Sequence, residues 1–290
     1  MKKHLTEIII AVLLIAGLGI LMYPTVSNLI NQGMASKAIT NYNSLYINTD
    51  KDSLRTMMEE AENYNERLTR NFTGFYEESS VQGYEDTLNI AGTGIMGYID
   101  IDKINVELPI YHGVDKGVLQ MGVGHIEGSS LPVGGESTHC VLSGHRGLPS
   151  AKLFTDLDKL EIGDTFQITV MGNVLTYTVD QIKIVLPDES ADLMITKGKD
   201  YCTLVTCTPY GINTHRLLVR GVRTDNGEGN KPRVFIPNEA IKIDTVIVAP
   251  VIALPILLMV IILVSIKEKY KNKLLEVRRN REREASKKSG

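Results

Sequence analysis

Two uncharged apolar runs bracket this chain and divide it into parts that cannot share one solvent. The first, Ile8–Tyr23 (IIIAVLLIAGLGILMY), is 16 residues long and follows Lys2 and Lys3. The second, Thr245–Ile266 (TVIVAPVIALPILLMVIILVSI), is 22 residues long. A helix of the second length spans about 33 Å, enough to cross the hydrocarbon core of a bilayer. Pro250 and Pro255 would bend it, which membrane helices tolerate. Its length, its lack of polar positions and its basic flank argue against a buried core helix. The first run has the basic start and apolar centre of a secretory signal. It leads into Tyr23-Pro24-Thr25-Val26 with no Ala-x-Ala cleavage site, so it reads as a signal-anchor rather than a cleaved peptide.

Charge follows the same division. The whole chain carries −3, residues 267–290 carry +6 and residues 1–7 carry +1, which leaves −10 for residues 8–266. Basic residues beside both runs place both ends in the cytoplasm by the positive-inside rule. The acidic stretch from Ser27 to Asp244 is then one ectodomain on the other side. So acidic a domain excludes phosphate-driven binding of nucleic acid, and the basic tail reads as a topology signal that can touch anionic lipid. A content of 43% hydrophobic and 22% charged residues is ordinary for a globular domain and excludes wholesale disorder. There are three cysteines, an odd number that leaves at least one free thiol in an oxidising exterior.

Between the runs the pattern changes once. Lys37–Asn71 is polar, with Leu45, Leu54, Met57, Met58 and Leu68 spaced along it, and no Pro or Gly occurs from Ala35 to Phe72. This predicts one or two helices. Thr73–Thr93 reads as loop. From Gly94 onward, short alternating runs are punctuated by turns: MGYIDIDKINVELPIYHG as a strand pair, THCVLSGHRG as a strand and tight turn, and Gln181–Leu186 as a further strand. Thr165–Met171 and Val174–Val179 bracket a hairpin turn at Gly172–Asn173, and Tyr201–Thr206 pairs with His215–Val222 across Thr208–Thr214. Ala151–Lys159 is expected as a short helix. Seven or eight short strands at this spacing argue a β-barrel or sandwich. There is no internal repeat.

The chemistry-bearing residues fall at strand ends. Cys207 closes a strand-like run and enters the loop that begins Pro209-Tyr210-Gly211, where a side chain is partly exposed yet fixed by the sheet behind it. Cys202, five positions earlier, alternates to the opposite face, and Cys140 sits inside an apolar run; both read as structural. A thiol nucleophile needs an acid–base partner and a group to hold an oxyanion. His145, presented by the Gly-flanked turn SGHRG, can supply the first, with His112, His125, His139 and His215 as rivals. Arg216 opens the return strand of the Cys207 hairpin and can supply the second, its bland alternative being a surface ion pair.

These residues carry a resemblance. Thr203-Leu204-Val205-Thr206-Cys207 resembles the sortase signature Thr-Leu-x-Thr-Cys. LPIYHG at 108–113, GHIEGSSLPVGG at 124–135, STHCVLSGHRGLPSAKLFTDLDKL at 137–160 and TCTPYGINTHRLLVRG at 206–221 are similar to the class C, pilus-assembling sortases. The resemblance implies a mainly β fold: an eight-stranded barrel with helices before it and flanking transmembrane helices. It implies Cys207 as nucleophile, His145 as proton partner and Arg216 as oxyanion and substrate clamp. Its implied reaction is transpeptidation of a Leu-Pro-x-Thr-Gly-like sorting signal, with pilin subunits as partners and no metal or cofactor. The expected division is signal-anchor 1–26, helical or lid-like segment 27–93, catalytic barrel 94–225, linker 226–244, transmembrane helix 245–266 and basic tail 267–290.

One departure stands out. The Asp-Pro-aromatic lid that many class C enzymes carry is missing from GYEDTLNIAGTG, Gly83–Gly94. Two readings follow: a different lid, with Tyr84 or Leu88 over the site and Asp86 paired with Arg216, or an open site. Its glycines favour mobility. Among other functions, a zinc site built from His112, His125, His139 and His145 lacks any close metal-ligand spacing. A papain-like protease is set aside because its cysteine opens a helix. A sortase that transfers to cell-wall peptide, and a tethered adhesin with no activity, stay open.

Overall fold

The computed structural model describes residues 2–70, 81–224, 267 and 270–280. The chain divides into two units, Met1–Glu239 and Ala240–Gly290. In the second unit, residues 270–280 are helical and exposed. The apolar run 245–266 and the linker before it lie outside the described residues.

In the first unit, helix α1 runs Lys2–Asn48 and helix α2 runs Lys51–Arg70. The break between them is capped by Asp50, whose carboxylate accepts from the Ser53 N–H at 2.8 Å and from its hydroxyl at 2.6 Å. Leu13, Leu14, Ile15, Ile20 and Leu21 of α1 are exposed. The second half of the helix buries Ala35, Ile39 and Tyr42 against the strands that follow. The Tyr42 hydroxyl donates to the Met96 carbonyl at 2.9 Å and accepts from the Met171 N–H at 2.8 Å, so one side chain ties the helix to two strands. On α2, Ala61, Tyr64, Asn65 and Leu68 make the buried stripe. The Asn65 amide exchanges two hydrogen bonds with the backbone of Leu131.

Eight strands close a barrel: β1 Ile95–Ile101, β2 Val106–His112, β3 Val123–His125, β4 Thr138–Ser143, β5 Thr165–Val170, β6 Asn173–Val185, β7 Asp200–Thr208 and β8 His215–Thr224. Around the barrel the order is β1-β2-β3-β4-β7-β8-β6-β5. Closure leaves no free edge. The pairs β2–β3 and β4–β7 are parallel and the others antiparallel. The core is filled by inward side chains such as Ile99, Ile110, Phe166, Ile168, Tyr177 and Leu204.

The strand pair over 95–112 and the pair that ends in Cys207 and Arg216 fall where the alternation puts them. Three features differ from expectation. The β5–β6 turn is Met171-Gly172, one residue earlier, with both residues at positive φ (45° and 77°), the geometry that suits the twist of a tight hairpin. The two runs Val174–Val179 and Gln181–Leu186 are one long strand, β6, with a register shift at Asp180. Ala151–Lys159 is not an α-helix; only Leu157–Lys159 forms a 3-10 turn. Leu153 sits at positive φ there, and the Phe154 N–H is spent on the His145 carbonyl at 3.1 Å rather than on a helical partner. A short helix α3, Lys116–Met121, and strand β3 between glycines had no clear periodic signal.

Candidate active site

The parallel pairing of β4 with β7 decides where the candidate residues meet. Its last register pair is Ser143 with Val205. Two residues further along each chain bring His145 level with Cys207. The continuation is held by backbone and side chain together. The Gly144 N–H donates to the Val205 carbonyl at 3.0 Å, and the Thr206 hydroxyl donates to the Gly144 carbonyl at 2.7 Å. This is a physical reason for a threonine just before Cys207. Glycine at 144 has its own reason: a Cβ there would stand 2.6 Å from the Phe154 ring.

Arg216 arrives from the other side. On the antiparallel pair β7–β8, Cys207 and Arg216 are direct partners, so their side chains leave the same face of the sheet. Arg216 Nη1 donates to the carbonyls of Asn213 at 3.3 Å and His215 at 3.1 Å. These neutral contacts aim the guanidinium while leaving its charge uncompensated. The three residues therefore gather at one end of the barrel, on the ends of β4, β7 and β8. Cys207 and His145 are partly exposed. Burial holds the His145 imidazole below its ordinary pKa, because the charged form loses hydration. The chemistry open to such a trio is thiol attack on a carbonyl, with a proton carrier beside the thiol and a cation for the developing oxyanion.

Three of the rival histidines are elsewhere and engaged, while His215 shares this barrel end as the register partner of Thr208, on the opposite face of β8 from Arg216. His139, at the start of β4, is buried; its Nδ1 faces the Met194 carbonyl at 3.0 Å and its Nε2 the Thr203 hydroxyl at 2.7 Å. A neutral tautomer satisfies both, and burial lowers its pKa to about 4. His125 lies between the Tyr84 hydroxyl, 2.9 Å from Nδ1, and the Ser130 carbonyl, 2.9 Å from Nε2. His112 faces the carbonyls of Thr87 and Gly94. His215 meets the neighbouring Thr214 hydroxyl. Among the described residues, no cluster of His, Cys, Asp and Glu could hold a metal ion. Cys140 and Cys202 are register partners in the barrel core, buried on the opposite face from Cys207.

The segment Gly83–Gly94 is not a loose flap. Val81, Tyr84, Leu88 and Ile90 are buried in the main core. The Tyr84 hydroxyl also accepts from the Gly113 N–H at 2.9 Å, and the Asn89 carboxamide accepts from the Gly94 N–H at 2.8 Å. Neither Tyr84 nor Leu88 lies over Cys207, and Asp86 is exposed. No ion pair joins Asp86 to Arg216 among the described residues. The glycines here serve positive-φ turns inside a fixed strap, not mobility. Residues 71–80 are outside the described residues.

One residue of the site escaped sequence reasoning. Arg146 directly follows His145, and its guanidinium reaches both Asp158 and the hydroxyl of Thr208, the residue after Cys207. The hint was available in SGHRG, where an arginine sits between the candidate histidine and a glycine, but its partners are tertiary.

Comparison with known proteins agrees with the fold. The family model of the sortase domain matches residues 99–224. Sortase C1 from Streptococcus agalactiae is 51% identical, with TM-score 0.63, covering 66% of this chain and 99% of that one. Clostridium perfringens sortase C, solved with the C-terminal cell wall sorting motif, is 46% identical, with TM-score 0.60, covering 66% of this chain and 100% of that one. Sortase D of Bacillus subtilis is 35% identical over 130 residues, 44% of this chain and 63% of its own length. The chain thus spans less than two thirds of the curated relatives it matches first. Half-identity carried over nearly the full length of a solved class C enzyme, on a closed eight-stranded barrel, makes this chain a member of the sortase family.

Proposed function

We propose that this protein is a membrane-anchored cysteine transpeptidase that cleaves a Leu-Pro-x-Thr-Gly-like sorting signal between Thr and Gly and joins the acyl group to a lysine amine of a pilin subunit. The observation that carries the reading is the meeting of Cys207, its register partner Arg216 and His145 at one barrel end. The likeness to sortase C structures, one of them solved with a sorting motif, supports the substrate class.

The residues would act in this order. The Cys207 thiol passes its proton to His145, and the thiolate sulfur attacks the Thr carbonyl carbon. Arg216, whose charge no carboxylate neutralises among its hydrogen-bond partners, and backbone N–H groups hold the oxyanion. Collapse breaks the C–N bond to Gly while the His145 imidazolium gives its proton to the leaving amine, leaving a thioester. A lysine amine then attacks the thioester, loses a proton to His145 and releases the Cys207 thiolate. The depressed pKa of His145 fits a group that must return its proton within the cycle.

For the anchor, among the described residues one helical span, Leu13–Asn48, is long and apolar enough to cross a membrane, and none of its apolar window is buried. The proposed placement has the barrel outside the cell. The test is to incubate the purified protein with a sorting peptide and look by mass spectrometry for an acyl adduct on Cys207, then add pilin and look for a high-mass ladder. An adduct and a ladder are expected. An intact peptide with no adduct would return the reading to a tethered adhesin.

A further inference from the structure

Arg146 presents a puzzle that the proposed reaction does not absorb. Its side chain is only 9% exposed, although a charged group is costly to bury. Nη2 pairs with the Asp158 carboxylate on the 3-10 turn Leu157–Lys159. Nη1 donates to the Thr208 hydroxyl at 3.2 Å. Nε is buried without a partner. A surface lysine would provide charge here more cheaply, and a lysine's point charge cannot bridge two acceptors in a plane. What the fork does provide is a span. One end of it belongs to the residue after His145, and one arm ends on the residue after Cys207. The turn that carries Asp158 is itself tied back, since the Phe154 N–H donates to the His145 carbonyl.

We propose that Arg146 is a positioning residue that fixes the separation of His145 and Cys207. The β4–β7 ladder ends at Ser143 and Val205, short of both groups. Beyond it, the Gly144 contacts set only the backbone of the first step. The guanidinium fork clamps the second step, joining the two loop entrances across the site and locking both to the 3-10 turn. Nothing in this role requires contact with substrate. The inference rests on Cys207 and His145 acting as a pair, so its test includes a readout that needs no sorting peptide.

The experiment compares wild type with Arg146→Lys, Arg146→Ala and Asp158→Asn. Steady-state turnover of a sorting peptide gives kcat and KM, alkylation of Cys207 by iodoacetamide across pH gives the pH dependence of the thiol's reactivity, and thermal melting gives stability. A misplacement of about 1 Å in a reacting group can cost ~10²-fold. Both Arg146 variants are expected to lose ~10–100-fold in kcat with KM nearly unchanged, and to change the pH dependence of alkylation. Asp158→Asn keeps the shape, loses the ion pair and should fall several-fold, which gives a reading even where Arg146→Ala does not fold. A wild-type alkylation profile and wild-type kcat in folded Arg146→Lys and Asp158→Asn would overturn the proposal. So would a kcat loss that disappears on cooling well below each variant's melting point, since that is a purely structural effect. A wild-type protein that alkylates with an assisted profile but never acylates would instead count against the sorting-signal reading alone.

Discussion

At the scale of single residues, three thiols in one domain have different fates for reasons of burial and facing. Cys202 lies in the barrel core, where burial pushes its pKa well above the usual thiol range, and Cys140 is its register partner, equally buried, with its thiol against Cys202 and His125. Cys207 emerges at the strand end. Iodoacetamide at neutral pH should therefore label the folded protein once, at Cys207, and label the other two only after denaturation; two or three labels on the native protein would contradict the burial described. Cys207→Ala should take up none and form no acyl adduct. Arg216 tests the oxyanion assignment. Its register with Cys207 is fixed by eight consecutive β7–β8 pairs, so Arg216→Ala should leave the barrel intact. Acylation should nevertheless fall by ~10²–10³, and Arg216→Lys should stay impaired because it lacks the planar fork. Near-normal turnover of Arg216→Lys would reduce the residue to a point charge. The placement of Cys207, His145 and Arg216 at strand ends was legible in the sequence because each stands beside a turn signal. Arg146 was not, because what distinguishes it is a pair of partners 12 and 62 positions away.

At the scale of elements, legibility tracked locality. The hairpins β1–β2, β5–β6 and β7–β8 are short-range and announced themselves by alternation and turn residues. The strap 81–94 did not. Its glycines suggested looseness, yet its order comes from two histidines outside the strap: His125, which meets the Tyr84 hydroxyl, and His112, which meets the Thr87 carbonyl. The failed helix at 151–159 has the same cause, since the backbone there is claimed by residues of α1 and the His145 loop: the Lys152 N–H donates to Asn28 at 2.8 Å. One element carries a pH signature. His139 must be neutral where it joins β4 to Met194 and Thr203, with a pKa of about 4 against 6.5 in an unfolded chain. The unfolded state then binds the extra proton between those values, so stability is full above about pH 6.5 and is lost as pH falls toward 4. The shift corresponds to about 3 kcal/mol at 1.36 kcal/mol per unit. His139→Gln should flatten the fall in melting temperature between pH 6.5 and 4 relative to wild type, while acylation at neutral pH should suffer far less than in His145→Ala. An unchanged slope would mean that other groups govern the acid limb.

At the scale of the whole molecule, two apolar runs with basic flanks predict that both ends lie in the cytoplasm and the barrel outside. Protease added to protoplasts should degrade the 94–225 domain and spare an epitope on the tail; a protected barrel with a digested tail would invert the arrangement. The barrel itself has a further consequence. The strand pairings that bring His145, Cys207 and Arg216 together run through β4, β7 and β8, and β4 and β7 join across 62 positions of sequence. The chain between them, which includes β5 and β6, must be laid down before that parallel pair can form, and pairings so distant are slow to nucleate. A fragment that stops short of β8 lacks Arg216. The complete trio is thus a property of the closed barrel, since the last strand in the chain supplies the cation that the other two residues lack.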